Sequence, residues 1–164
     1  MKIYHLLLVN LCLVSAVFSA THVVPADLQK EQRQLESAFQ ADPYNATTRF
    51  ELAMNYAYTG WIELGWKLLR TIPKYDVNYA DVVVPKYTAL IEKEPDNWKY
   101  HFKLAFGYYF KEQKDLALAS FKKVTELHPT SPWGFGFVAL LEGENKKYDR
   151  VISICNHALT LEPN

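Results

Sequence analysis

The chain of 164 residues is long enough for one domain, and its 49% hydrophobic and 22% charged residues are typical of a folded globular protein. Its 18 basic and 18 acidic side chains cancel, which leaves no excess of Lys and Arg to neutralise nucleic-acid phosphates. Two cysteines and six glycines exclude disulfide-dense and collagen-like scaffolds, whereas the aromatic content of 15% is unusually high.

The first twenty residues have the pattern of a signal peptide. Lys2 is followed by a largely apolar run, residues 6–18, and then by small residues at Ser19 and Ala20. This run is shorter than the roughly 20 apolar residues that cross a bilayer, but it fits the core of a signal peptide. We predict a signal peptide over 1–20, export to the periplasm, cell surface or secreted fluid, and a folded domain over 21–164 with no membrane span. A retained membrane anchor is the alternative.

Apolar spacing, capping residues and prolines predict eight helices in the rest of the chain. The predicted helices are 26–41, 46–59, 61–73, 81–93, 98–111, 114–127, 132–144 and 148–161. Asn45 or Thr47 can cap the second of these helices, although Asn45-Ala46-Thr47 is also an N-glycosylation sequon. Pro85 falls in the first turn of 81–93, where it removes only N–H groups that lack partners.

A regular repeat runs through the second half of the chain. Pro95, Pro129 and Pro163 are evenly spaced along the sequence. The apolar residues before each proline agree in kind: Val83, Tyr87 and Leu90; Ala117, Phe121 and Val124; Val151, Cys155 and Ala158. Intervals of four and three residues form one helix face, and the proline ends the helix. The period therefore predicts stacked helical hairpins.

The repeat resembles the tetratricopeptide repeat (TPR) family, whose unit of about 34 residues is a helix–turn–helix and matches the spacing of the three prolines. Residues 98–131 and 132–164 are the clearest units; the matching positions in the first are Leu104, Ala105, Tyr108, Ala117, Phe121, Val124 and Pro129. Phe50-Glu51-Leu52-Ala53 matches Phe102-Lys103-Leu104-Ala105, which makes 46–97 an expanded or irregular repeat. The resemblance implies an all-α fold of antiparallel helical hairpins, stacked as a short right-handed solenoid.

The pairing of helices between residues 61 and 94 is open. Trp61 begins a segment that looks like a first helix of the family, which would make 74–80 an irregular insertion. Alternatively, 61–73 is the second helix of the first hairpin and 81–93 is extra.

In the TPR family, the first helix of each unit lines a concave groove that holds a peptide or a partner helix. The positions carried over to this chain are Phe50, Met54, Tyr58, Phe102, Phe106, Tyr109, Phe110, Trp133 and Leu140. Helix 98–111 is apolar on two stripes, and only the stripe with Leu104 and Tyr108 is needed inside its hairpin. The other stripe, which carries Phe102, Phe106, Tyr109 and Phe110, is therefore expected to lie at the surface and to form a binding site. The alternative is that 81–93 or 74–80 covers these aromatics as core.

The sequence contains no motif for catalysis, cofactors or metals. The five histidines lack metal-ligand spacing, and glycine-rich phosphate and nucleophile motifs are missing. Glu142 and Glu144 are expected to be a solvated pair at a helix end. We predict a scaffold that binds a protein or peptide and is not an enzyme, with no cofactor and no metal. The alternative is a small-ligand binder whose aromatics close a pocket.

The last predicted helix, 148–161, ends the stack and is only partly polar. The residues expected to face inward are Val151, Ile152, Cys155, Ala158 and Leu159. Ile154 and Leu161 are then left without an obvious neighbour. Either polar residues keep this end soluble, or the C-terminal helix self-associates or docks a partner domain.

Overall fold

The computed structural model describes residues 24–161, so the predicted signal peptide lies outside the described residues. These residues form eight α-helices and one 3₁₀ turn: α1 (Ala26–Ala41), α2 (Ala46–Tyr58), α3 (Ile62–Leu69), the 3₁₀ turn (Ile72–Lys74), α4 (Tyr79–Lys93), α5 (Trp98–Phe110), α6 (Lys114–Leu127), α7 (Pro132–Glu144) and α8 (Tyr148–Leu161). The predicted all-α fold class is confirmed, and each helix lies within a few residues of its predicted position.

Two turns at equivalent positions of successive repeats have the same backbone conformation. Glu112, after α5, and Lys146, after α7, have φ values of 58° and 60°, in the left-handed region. In both turns this residue donates its N–H to the carbonyl three residues back, at 3.0 Å for Glu112 and 2.9 Å for Lys146. The next N–H reaches the carbonyl five residues back, as in a Schellman motif. The sequence period is therefore also a structural period.

The C-terminal half stacks as two helical hairpins. α5 packs against α6 and α7 against α8, and α6 packs against α7 to join the two hairpins. Gly134 allows the close approach of α7 to α6, because a Cβ atom there would lie 3.1 Å from the side chain of Val124 and 3.3 Å from that of Thr125. This arrangement is the local stacking that the repeat predicts.

The pairing between residues 61 and 94 follows the second of the two predicted alternatives. α3 packs against α2, and the additional helix α4 packs against α5. Gly65 is required at the first contact, because a Cβ atom there would lie 2.9 Å from the carbonyl oxygen of Ala53. α4 begins at Tyr79, whose buried ring lies 5.4 Å from that of Phe50. Pro85 consequently lies inside the helix, and its predicted place in the first turn is wrong.

α2 is surrounded by other helices. Asn45 caps its N-terminus by accepting a hydrogen bond from the N–H of Thr48 at 2.9 Å, which confirms the predicted cap. α1 and α3 pack against α2, and α7 also touches it. Its buried residues are Arg49, Phe50, Leu52, Ala53, Met54, Asn55, Ala57 and Tyr58. A helix buried on all sides belongs to the core. Within residues 24–161, no helix has the length and apolar character needed to cross a membrane.

Candidate interaction surface

The structure divides the nine residues of the predicted binding face into two groups. The buried group, with at most 3% of each residue exposed, is Phe50, Met54, Tyr58, Phe102 and Phe106. Tyr109, Trp133 and Leu140 are half-buried, and Phe110 is 38% exposed. The expectation that the whole second stripe of 98–111 lies at the surface is therefore wrong.

Phe102 and Phe106, in the first part of the second stripe of α5, are buried because other helices cover them. The ring of Phe102 lies 5.5 Å from Tyr58 of α2, 5.5 Å from Phe121 of α6 and 5.3 Å from Phe137 of α7. Edge-to-face contacts at these distances are favourable for aromatic rings in a core. The rings that cover Phe102 therefore come from α2, α6 and α7, whereas the sequence suggested 74–80 or 81–93 as the cover.

At the C-terminal end of α5 the packed rings reach the surface. Trp66 of α3 lies 6.2 Å from the buried ring of Phe106 and 6.1 Å from Tyr109. Tyr109 in turn lies 6.1 Å from the exposed ring of Phe110. We call Trp66, Tyr109 and Phe110 the aromatic edge. Its rings are held in place by the core through Phe106, so little side-chain entropy remains to be lost on binding.

Glu144 of α7 forms a polar border to the aromatic edge. Its carboxylate accepts a hydrogen bond from the hydroxyl of Tyr109 at 3.3 Å and lies 2.7 Å from the ammonium nitrogen of Lys114. Burial raises the pKa of Tyr109, and the charge of Glu144 raises it further. Leu140 lies one helical turn before Glu144 on the same face of α7. The edge thus combines apolar rings with a neutral hydroxyl and charges of both signs.

The structure separates Trp133 from the aromatic edge and adds Trp66 to it. Trp133 lies in the first turn of α7, and Glu144 is the last residue of that helix, about 16 Å further along its axis. Trp66 was missed because the helix pairing of residues 61–94 was open from the sequence. The one signal for Trp66 in the sequence is its spacing from Ile62 and Leu69, which places the three side chains on one face of α3.

A buried ion pair holds α2 against α5. The ammonium nitrogen of Lys103, a residue that is 7% exposed, lies 2.6 Å from one carboxylate oxygen of Glu51. The other oxygen accepts hydrogen bonds from Lys86, at 3.0 Å, and from the hydroxyl of Tyr87. Burial alone would raise the pKa of Glu51, but Lys103, Tyr87 and Lys86 outweigh burial, so the pKa lies below its ordinary value. These internal partners identify the pair as part of the fold.

Glu142 is not the solvated residue that the sequence suggested. It is 1% exposed, and its carboxylate lies 3.4 Å from Lys122, 3.2 Å from Lys147 and 3.5 Å from Arg150. Burial favours a raised pKa, but the hydrogen bonds and charges of Lys147 and Lys122 lower the pKa of Glu142 overall. Glu142 therefore links α7 to α6 and α8 by charge, at the position where the preceding repeat has Tyr108. The other member of the predicted pair, Glu144, is exposed.

A cleft of about 460 Å³ opens between α1, α2 and α3. Its apolar lining is Phe39, Leu52, Tyr56, Leu64 and Leu68, and its polar lining is Glu36, Gln40 and Lys67. None of the nine predicted binding residues lines this cleft. In the part of the chain that the structure describes, no group of three His, Cys, Asp or Glu residues is placed to hold a metal ion.

Comparison with known proteins finds likeness in the fold. No protein-family model matches the chain, and no curated protein matches its sequence. A crystal structure of MamA is 16% identical, with a TM-score of 0.50 over 82% of this chain and 88% of that chain. MamA 41-end from Desulfovibrio magneticus RS-1 is 10% identical, with a TM-score of 0.50 over 83% of this chain and 86% of that chain. At such identities the likeness shows the fold alone, which is a TPR-like helical repeat fold.

Proposed function

We propose that this chain is a non-enzymatic helical-repeat scaffold that binds a protein or peptide partner through the aromatic edge. The observation that carries the proposal is the continuous ring contact from buried Phe106 to exposed Phe110. Large aromatic side chains that are anchored in a core and reach the surface are typical of binding hot spots. The stacked-hairpin fold supports the proposal, because helical repeats present extended binding surfaces.

The chemistry of the aromatic edge favours a segment of a protein as the partner. Three rings lie side by side, and the hydroxyl of Tyr109 with Glu144 and Lys114 borders them. An apolar side chain of the partner can pack on Phe110 while a flanking polar or charged group meets this border. A helix or extended peptide presents both groups at the required spacing.

Serine at Phe110 or Tyr109 is expected to abolish partner capture while leaving the melting temperature close to that of the wild type. Neither side chain is fully buried, so each replacement removes less buried apolar surface from the folded chain than a replacement in the core does. Phe106 is unsuitable for this test, because it is buried. The measurement is the affinity of the full-length chain for a captured partner, together with a thermal melt.

Leu116→Ser is the matched control for these variants. Leu116 is 48% exposed and belongs neither to the aromatic edge nor to its polar border, so its replacement removes exposed apolar surface without changing either. Equal losses of affinity in Leu116→Ser and Phe110→Ser would contradict the proposal. So would full binding by both edge variants.

We also propose that the chain is exported, on the sequence pattern of residues 1–20. Expression with its own N-terminus should give a chain outside the cytoplasm whose mass is reduced by that of the leader. An unshortened chain confined to the cytoplasm is the result that argues against export.

A further inference from the structure

We infer that α8 forms a symmetric interface with a second copy of this chain. Tyr148, Ile152 and Leu159 are 51%, 60% and 54% exposed, and Cys155 between them is half-buried. Intervals of four, three and four residues place these four side chains in one stripe along the helix. We call them the α8 stripe. It has the spacing at which two helices pack against each other.

The α8 stripe consists largely of residues that the sequence predicted to face inward. Ile152 and Leu159 were expected to face inward, and Ile154 was left without a neighbour. Val151 is buried, as predicted, and Ile154 packs against the core, whereas Ile152 and Leu159 are exposed. The inward face therefore passes through residues 151, 154 and 158, and the apolar residues beside it are left at the surface.

The internal repeat shows what covers the middle of the equivalent stripe one unit earlier. In the preceding repeat, Leu118 corresponds to Ile152 and Phe121 to Cys155. Leu118 is 7% exposed and Phe121 is 1% exposed. Both residues lie on α6. α7 packs against α6, and the ring of Phe137 stacks on Phe121 at 5.1 Å. Among the described residues no helix occupies this place beside α8. The position thus fits a further helix with an apolar face.

The α8 helix of a second copy fits this position better than the α1 helix of a second copy, which lies at the opposite end of the stack. The outer face of α1 carries Lys30, Arg33, Gln34 and Ser37, all exposed or partly exposed. A head-to-tail contact between α8 and α1 would therefore place charges against the α8 stripe, at a cost in desolvation.

An antiparallel pair of α8 helices matches apolar residues with apolar residues. With the two-fold axis between residues 153 and 154, Tyr148 of one copy lies opposite Leu159 of the other, and Ile152 lies opposite Cys155. One helix pair buries less than the roughly 800 Å² per partner that is usual in stable complexes. The dimer is consequently expected to be weak and to dissociate on dilution.

Sedimentation of the full-length chain over a hundredfold range of concentration, up to the high micromolar range, tests this inference. The wild type should shift from monomer to dimer with concentration. Ile152→Glu and Leu159→Glu should each weaken the dimer about tenfold or more, because the two-fold axis places each carboxylate in the interface twice. Both positions are exposed, so circular dichroism and thermal melts should show an intact fold.

Ser153→Glu is the control, because it adds the same charge to an exposed position on α8 outside the α8 stripe. It should leave dimerisation unchanged, as should Phe110→Ser, which alters the aromatic edge on a different helix. A monomer at every concentration would overturn the inference, and so would a dimer that both stripe variants leave intact. A monomeric chain that loses a captured protein in Ile152→Glu would show that another occupant uses the stripe, which also overturns it.

Discussion

Replacing Phe102 with alanine is expected to lower the free energy of unfolding by about 3–5 kcal/mol. Phe102 is 0% exposed, and its ring contacts rings from α2, α6 and α7. Truncation leaves a cavity where these helices meet α5, and the surrounding rings cannot collapse into it without losing contacts with each other. A domain of this size has about 5–15 kcal/mol of total stability. Urea denaturation should therefore show a large fall in the midpoint at an unchanged slope.

Phe110→Ala is the matched control for Phe102→Ala, because it makes the same chemical change on the same helix. Phe110 is 38% exposed, so its truncation should cost clearly less. Equal losses of stability in the two variants would show that the stripe is not divided into core and surface. Tyr108, which the repeat pattern places on the stripe needed inside its hairpin, is only half-buried and is a poorer probe.

Replacing Glu51 with leucine is expected to cost about 3–5 kcal/mol near neutral pH, because it leaves a buried charge without its partner. Lys103 is 7% exposed, and its ammonium group would then lie among apolar and aromatic side chains without the Glu51 carboxylate. The double variant Glu51→Leu/Lys103→Met should recover most of this loss, since two apolar side chains can pack in the same place. Denaturation of the wild type, both single variants and the double variant gives the coupling energy.

The ion pairs of Glu51 and Glu142 also set the response to acid. The pKa values of both carboxyl groups lie below the ordinary value of 4.5 in the folded chain. Their contribution to stability is therefore complete above that pH and is lost as the pH falls through the folded pKa values. The double variant at Glu51 and Lys103 should lose less stability than the wild type on acidification. Two results would contradict a coupled buried pair. One is that the stability losses of the two single variants add up in the double variant; the other is that the wild type and the double variant lose the same stability on acidification.

The helices and their period could be predicted from the sequence because both depend on local signals. Evenly spaced prolines mark the ends of every second predicted helix, and apolar residues at intervals of four and three define the inner faces of these helices. The pairing of α3 with α2 depends on the close approach at Gly65, which no spacing rule reveals. Glu142 shows the same limit, because its burial depends on charge partners that include Lys122 on the preceding helix.

The candidate site was only partly predictable, because an aromatic stripe has the same pattern whether it lies in a core or at a surface. Tyr109 and Phe110 were among the predicted residues and remain accessible, whereas Phe102 and Phe106 belong to the core. The difference arises from Tyr58 and Trp66, which lie on helices outside the regular period and pack against Phe102 and Phe106. Long-range contacts of this kind leave no local signal in the sequence.

Hydroxyl-radical footprinting of the aromatic side chains, with and without a captured partner, tests the division between core and aromatic edge most directly. Trp66, Tyr109 and Phe110 should be oxidised in the unbound chain and protected in the complex. Phe102 and Phe106 should react little in either state, because they are at most 2% exposed. Oxidation of Phe102 and Phe106 as fast as that of Phe110, or a complex that leaves the aromatic edge unprotected, would contradict the proposed function.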